Sequence, residues 1–392
     1  MPLSGIVILD LSRGLPGPFC SQILSDYGAD VIKIEDRTGD PIRYLHPRIA
    51  GESAHYYSVN RNKRSLTLDL RKEEGQSIFK RLVTSSDVVV DGFRPGTMDK
   101  LGLGYELLRE LNPRLVCCSL TAFGSTGPWR FSPSHDVNVT GLAGITELTG
   151  RHDSPPAMST VQISALGGAL YATIAILIAL LQRNKIGVGQ FCDVAMLDSS
   201  ISLLAYTLAE WSGNRRLPCR GRERLTGGYA YFNLYETNDR RYVSLGAAEK
   251  KFWETFCLGI GKPEYIDIHK EPSRQEEMIK EIQTIIGGKS QKEWLEIFAD
   301  QVCLTPVLNL DEVSEHPQVQ NREMVVKLEN YQDSGIDLAL PGLAIKFSNH
   351  SAQSKFEFSQ TGQHNREILQ KLGYTPQEIE FFIEKKAIGI RK

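Results

Sequence analysis

Short β-branched runs alternate with longer amphipathic ones through the first 200 residues of this chain. Residues 6–11 are apolar almost throughout and predict a buried strand. A breaker-rich loop follows, Ser12-Arg-Gly-Leu-Pro-Gly-Pro18. Residues 19–27 predict a helix with Gly28 placed to close it, and residues 31–35 predict a second strand. The rhythm repeats as strand 65–70, helix 72–84, strand 88–91, a mostly helical stretch over 97–111, strand 115–121 and a further strand over 189–194. This alternation predicts an α/β fold with a Rossmann-like, doubly wound parallel sheet and right-handed crossovers. Ligands in such sheets sit beyond the carboxyl ends of the strands, so the loops that follow the strands matter most for function.

One uncharged stretch, residues 165–181, approaches the lower length limit for crossing a bilayer. The rest of the chain is ordinary in polarity, so a buried helix is expected and no membrane partner. From about residue 225 the character changes to short strands such as 241–245 and amphipathic helices such as 275–286 and 291–299. The predicted division is a large domain over 1–224, a smaller α+β domain over 225–325, and a C-terminal segment, 326–392, that returns to the large domain.

The composition narrows the partners. Of 392 residues, 41% are hydrophobic and 23% charged, enough for a sizeable core. A net charge of -2 gives no reason to expect nucleic acid or an anionic membrane surface. The seven cysteines are scattered, odd in number and without CxxC spacing, which suits a reducing, cytoplasmic compartment and predicts no metal site. The first apolar run is short and interrupted by Asp10, unlike a secretory leader.

Each candidate motif admits two readings. The 12–18 loop stands where a dinucleotide fingerprint would, but it is not GxGxxG, and Pro16 and Pro18 remove amide donors a pyrophosphate needs. Glu35 alone supplies only half of the fingerprint, so NAD is not expected. Asn60-Arg-Asn-Lys-Arg64 reads equally as solvated charge or as a phosphate site. Arg94 projects from the Gly92-Phe-Arg-Pro-Gly96 turn that follows a strand. His135, with Asp136 beside it, is either an acid/base group or a solvated loop histidine. Glu249 follows the small run Gly246-Ala-Ala248 and is either a tuned carboxylate or plain surface. Gly362-Gln-His364 reads only as a loop.

These pieces occur together and in order in one family. The chain resembles the class III CoA-transferases (CaiB/BaiF family), which include the α-methylacyl-CoA racemases. The resemblance runs through residues 2–11, 17–19, 26–35, 60–65, 92–96, 101–105, 112–115, 123–128 and 361–364. It implies coenzyme A and acyl-CoA as substrate together with a carboxylic acid, without NAD or a metal. It implies an interlocked dimer, either a homodimer or a heteromer with a related subunit. Arg37, Lys72, Arg94 and Lys100 fall near the positions that hold nucleotide and pantetheine in the family. It also makes the second domain the shaper of the acyl pocket, with residues 229–232 lining it.

The resemblance implies two chemistries. Transferases use an Asp nucleophile that attacks the thioester. Racemases use a His and an Asp on opposite faces of the α-carbon. His135-Asp136 and Glu249 match the racemase pattern. The essential Asp of both branches precedes the long apolar helix, and here that run reads Ile163-Ser-Ala-Leu-Gly-Gly-Ala-Leu170. Ala165 holds the place of the Asp, or Ser164 if the gap shifts by one. Three explanations follow: an inactivated variant, the non-catalytic subunit of a heteromer, or proton chemistry on His135 alone. The expected function is transfer of CoA between carboxylic acids. The alternatives are a racemase-like isomerase, and a CoA-binding subunit without chemistry.

Overall fold

The structure, a computed structural model, describes residues 1–349 and 355–389. Of the predicted C-terminal segment, positions 350–354 and 390–392 lie outside the described residues. Six strands form one parallel sheet: β1 (Val7–Asp10), β2 (Asp30–Glu35), β3 (Lys63–Thr67), β4 (Val88–Asp91), β5 (Val116–Thr121) and β6 (Phe191–Ala195). Their spatial order is 3-2-1-4-5-6. Val7 lies opposite Asp30 and Ile8 opposite Val88, so β1 sits in the middle and the winding reverses between β1 and β4. That reversal is the topological switch point, where a crevice opens at the carboxyl edge.

The two-residue period of a strand sorts the core into two layers. Ile8, Val31, Val88, Val90 and Val116 pack under helices α1 (Pro16–Asp26) and α5 (Ile163–Ile186). Leu9, Ile32, Leu66 and Val89 face the other way, onto α2 (Glu73–Val83), α3 (Tyr105–Leu111) and the C-terminal helices Asn365–Lys371 and Pro376–Glu384. A sheet covered on both faces explains why its strands read as continuous apolar runs. The fold class is therefore α/β with a Rossmann-like sheet, as the pattern predicts. Strand β3 begins two residues before the apolar run suggests, because Lys63 and Arg64 belong to it and are neutralised by carboxylates.

Helix α5 is 24 residues long and long and apolar enough, by length and composition, to cross a membrane. In the chain itself it is only half covered. Ala169, Ala172, Ile176 and Ala179 pack on the sheet, whereas Leu170, Ile174, Ile178 and Leu181 are 49%, 49%, 56% and 65% exposed. The expected burial thus holds for one face and not for the other.

The chain divides into two compact units. The larger comprises residues 1–143, 161–203 and 317–392; the smaller comprises 144–160 and 204–316. In the smaller unit, the antiparallel strands Phe232–Glu236, Tyr242–Gly246 and Leu304–Pro306 pack against helices Lys250–Gly259, Gln275–Ile286 and Gln291–Phe298. Its core is aromatic: Tyr235, Trp253, Phe256, Trp294 and Phe298. The indole N–H groups of Trp253 and Trp294 donate to the carbonyls of Tyr265 (2.9 Å) and Ile286 (2.7 Å), so these rings are buried without an orphaned donor.

Candidate active site

A buried ionic network joins the carboxyl end of β1 to the middle and end of β2 and to Lys63 at the start of β3. Asp10 closes β1, fully buried, and its Oδ1 accepts from the Ser12 amide (2.9 Å) and the Ser12 hydroxyl. Its Oδ2 accepts from Ser21 Oγ (2.5 Å) and Lys63 Nζ (3.1 Å). Burial alone would raise the Asp10 carboxyl. Lys63, Lys33 and the two serines outweigh it and hold the group at about 2. Lys33 donates to the Ser12 carbonyl (3.0 Å) and pairs with Asp40 (2.9 Å). Glu35, at the end of β2, takes a two-point grip from Arg43 at 2.7 Å on each oxygen. That grip is why Glu35 is not available to a ribose.

The 60–64 cluster, which reads from sequence as solvated charge or a phosphate site, is paired with carboxylates of the same chain. Arg61 is buried and forks onto Asp26 (2.8 and 2.7 Å), Lys63 is buried on Asp10, and Arg64 pairs with Asp30. Asp10 and Asp26 are buried partners, whereas Asp30 is exposed.

The exposed cations lie one step further out along the same edge. Arg37 follows β2, Arg94 follows β4, and both are exposed. Lys72 precedes α2 after β3, half-buried, and its Nζ donates to the Lys385 carbonyl at 2.8 Å. Lys100 ends the short helix Thr97–Lys100 that follows the Arg94 turn. Arg13, which the sequence did not single out, lies in the loop after β1 with its guanidinium 5.8 Å from the centre of the Phe93 ring. Asp91 was also missed. It ends β4 and accepts from the Phe93 amide (3.1 Å), and burial pushes its carboxyl up to about 6. The signal available for both was position: Asp91 is the last residue of β4, and Arg13 stands three residues past the end of β1.

The His135-Asp136 pair splits into two roles. Helix α4 (Asp136–Leu142) begins here, and the His135 amide donates to Asn138 Oδ1 (2.9 Å) while its side chain is exposed. The Asp136 carboxylate turns instead to the start of α5. Its Oδ1 accepts from Ser164 Oγ (2.6 Å) and from the amide of Ala165 (2.9 Å). It therefore satisfies one of the otherwise open amides at a helix amino end, where negative charge is favoured. The side chain of Ala165, 7% exposed, is the methyl group next to that grip. Sequence places His135, Asp136 and Ala165 in one site, and the structure brings Asp136 and Ala165 into contact.

Glu249 belongs to the smaller unit, where it is exposed and precedes helix Lys250–Gly259. Of the 229–232 stretch, Ala230 and Tyr231 are buried in the aromatic core, and Tyr229 and Phe232 are partly buried against it. A cavity of about 100 Å³ in this unit is lined instead by residues including Tyr206, Trp211, Arg220 and Leu225. No group of three or more His, Cys, Asp or Glu able to hold a metal ion occurs among the described residues.

Residues 3–365 match the sequence profile of CoA-transferase family III. The chain is 32% identical to human alpha-methylacyl-CoA racemase, over 100% of this chain and 99% of the relative. It is equally 32% identical to human succinyl-CoA:glutarate CoA-transferase, over 95% of this chain and 86% of the relative. Among solved structures, a CaiB/BaiF family protein from Brucella suis superposes with a TM-score of 0.82 at 29% identity, covering 95% of this chain and 99% of that one. With the 3-2-1-4-5-6 sheet and a match spanning nearly the whole chain, the protein belongs to CoA-transferase family III.

Proposed function

We propose that this chain binds an acyl-CoA thioester along the carboxyl edge of its sheet and serves CoA transfer between carboxylic acids, as a subunit whose own nucleophile is lost. The observation that carries this is the methyl group of Ala165 at the amino end of α5, beside the Asp136 carboxylate already bonded to that helix. Arg37, Lys72, Arg94 and Lys100 supply the cations for the nucleotide phosphates. Transfer needs a carboxylate that attacks the thioester carbonyl, expels the CoA thiolate and forms a mixed anhydride. The thiolate then attacks the enzyme's acyl carbon, releases the first acid and leaves CoA as an enzyme thioester. An alanine has no lone pair for the first step. The carboxylate must come from a related subunit or be restored at 165.

A second reading rests on His135. Its side chain is exposed and Asp136 is bonded elsewhere, so one-base exchange of an α-proton through an enolate needs nothing that Ala165 removes. Assembly belongs to the proposal. The apolar stripe Leu170, Ile174, Ile178 and Leu181 is the kind of surface a second copy or a related chain covers. Sedimentation at twice the chain mass, lost in Ile178→Glu, is the expected result. A cytoplasmic setting, suited to free thiols, completes the proposal.

Calorimetry with acetyl-CoA tests the central claim. Binding in the range of roughly 1 μM to 1 mM is expected, weakened about tenfold or more in Arg94→Ala. Absence of binding and of any rise in melting temperature with acetyl-CoA rules the proposal out.

A further inference from the structure

The 12–18 stretch, a loop that passes into the first turn of α1 at Pro16, is held from beneath by two buried lysines. Lys63 Nζ donates to Asp10 Oδ2 (3.1 Å), the Pro18 carbonyl (2.8 Å) and Asn60 Oδ1 (3.0 Å), which uses all three of its protons. Lys33 Nζ takes the Ser12 carbonyl, and Asp10 takes the Ser12 amide and hydroxyl. Both ends of the loop are thus anchored to side chains rising from β1, β2 and β3. The loop also closes tightly on itself: a Cβ at Gly17 would come 2.1 Å from Ser12 Cβ. Only its middle, Arg13 to Pro16, is turned outward. A buried cation that grips backbone carbonyls sets a shape; an apolar replacement would fill space and leave the carbonyls unpaired.

We infer that Lys63 is a positioning residue for the CoA site: through Asp10 and the Pro18 carbonyl, with Lys33 on the Ser12 carbonyl, it fixes the 12–18 loop at the switch point of the sheet. This rests on the proposal that acyl-CoA binds along that edge. The consequence is a proton-dependent site. Burial lowers the Lys63 ammonium, Asp10 opposes and Lys33 adds to the lowering, and the group is brought down to about 8. The titratable groups around it are Asp10 on β1, Lys33 and Glu35 on β2, Asp40 in the following turn, and Cys20 and Asp26 on α1. Cys20 is pushed up to about 12 by burial and stays a thiol throughout the range of interest. Asp10 is ionised throughout. Lys63 is then the member of this group whose charge changes as the solution passes from neutral to mildly alkaline. Above about pH 8 it loses a proton, and with it one of the donors that hold the Pro18 carbonyl, Asn60 and Asp10.

The test is calorimetry with acetyl-CoA, which has no free thiol, from about pH 6.5 to 9.5 on the native chain, Lys63→Met and Lys33→Met. In the native chain affinity is expected to fall about tenfold between neutral and alkaline pH, within the usual range of coupling between sites. In Lys63→Met it is expected to be about tenfold weaker at neutral pH and level across the range. Lys33→Met, which releases the Ser12 carbonyl and leaves Lys63 in place, should bind more weakly, with the slope moved to higher pH because Lys33 no longer lowers the Lys63 ammonium. A lysine that only stabilises the fold would lower the melting temperature in Lys63→Met and leave the pH slope intact, which overturns the inference. If Lys63→Met does not fold, a native profile without a slope overturns it, and a slope moved to higher pH in Lys33→Met supports it. Native protein that binds acetyl-CoA without a slope refutes this inference alone. Native protein that binds none at any pH refutes the CoA proposal as well.

Discussion

Ala165→Asp is expected to turn an inert or weakly active chain into a CoA-transferase. The substitution adds a carboxylate to the first turn of α5, on the residue whose own amide already bonds Asp136. Open amides at that helix end favour the charged form. Asp136, a like charge on α4 bonded to the same turn, disfavours it and leaves the new group more basic than an isolated Asp at a helix start. Both influences suit a nucleophile that must be ionised and reactive near neutral pH. The measurement is mass spectrometry of a 2-methylacyl-CoA with an isotopically labelled carboxylic acid in heavy water, for the native chain and the Asp variant. CoA on the labelled acid should rise by about a thousandfold or more, the scale on which removing a nucleophile is felt. Deuterium at the α-carbon in the native chain, without CoA transfer, would assign the chemistry to His135 and discard the transferase proposal. Transfer in neither chain, with acetyl-CoA bound by both, would mean that the carboxylate comes from a related subunit.

How much of this could be read in advance follows from where charge sits relative to periodicity. The strands β1 and β4 carry their signal in short, largely β-branched apolar runs, which suit a sheet covered on both faces. Lys63 broke that signal. A lysine at the start of a strand reads as surface, yet it is fully enclosed because Asp10, 53 residues earlier, comes to 3.1 Å from it. No local window contains both partners. The Thr361-Gly-Gln-His364 loop was opaque for the same reason. Its meaning lies in contacts with β3: the Gly362 amide donates to Ser65 Oγ (2.8 Å), and His364 Nδ1 accepts from the Ser65 amide (3.1 Å). Asp136 shows the converse. Sequence pairs it with its neighbour His135, but its partners are Ser164 and Ala165 on another helix. Arg94 was legible from its turn after a strand, whereas Arg37 and Lys72 were reached only through the family resemblance; the sheet topology puts the loops that carry all three after strands.

Arg43→Met should cost about 3–5 kcal/mol and lower the melting temperature by roughly 10 °C. Arg43 is almost wholly buried and bonds Glu35 through Nε and Nη2 (2.7 Å each), Glu52 through Nη1 (2.7 Å) and the Tyr56 hydroxyl through Nη2 (2.5 Å). Its guanidinium also lies 3.7 Å from the Tyr56 ring centre. Methionine fills most of the space and returns none of the five hydrogen-bonding protons. Glu35 would keep the Asp40 amide (2.8 Å) and Ser65 Oγ (2.6 Å), but its charge would lose its nearest cation inside the protein. Arg43 Nη1 further donates to the Ser359 carbonyl (3.1 Å), so the same substitution loosens the C-terminal segment where it crosses the sheet edge. The double variant Glu35→Leu with Arg43→Met separates charge from packing. Removing both members of a buried pair is less harmful than removing one, so chemical denaturation should show the double variant recovering part of the loss. A double variant less stable than Arg43→Met by the full cost of Glu35→Leu alone would mean that the two side chains stabilise the fold independently. The buried ionic network would then be packing material, and its hold on the loops at the carboxyl edge would have to be sought in the backbone.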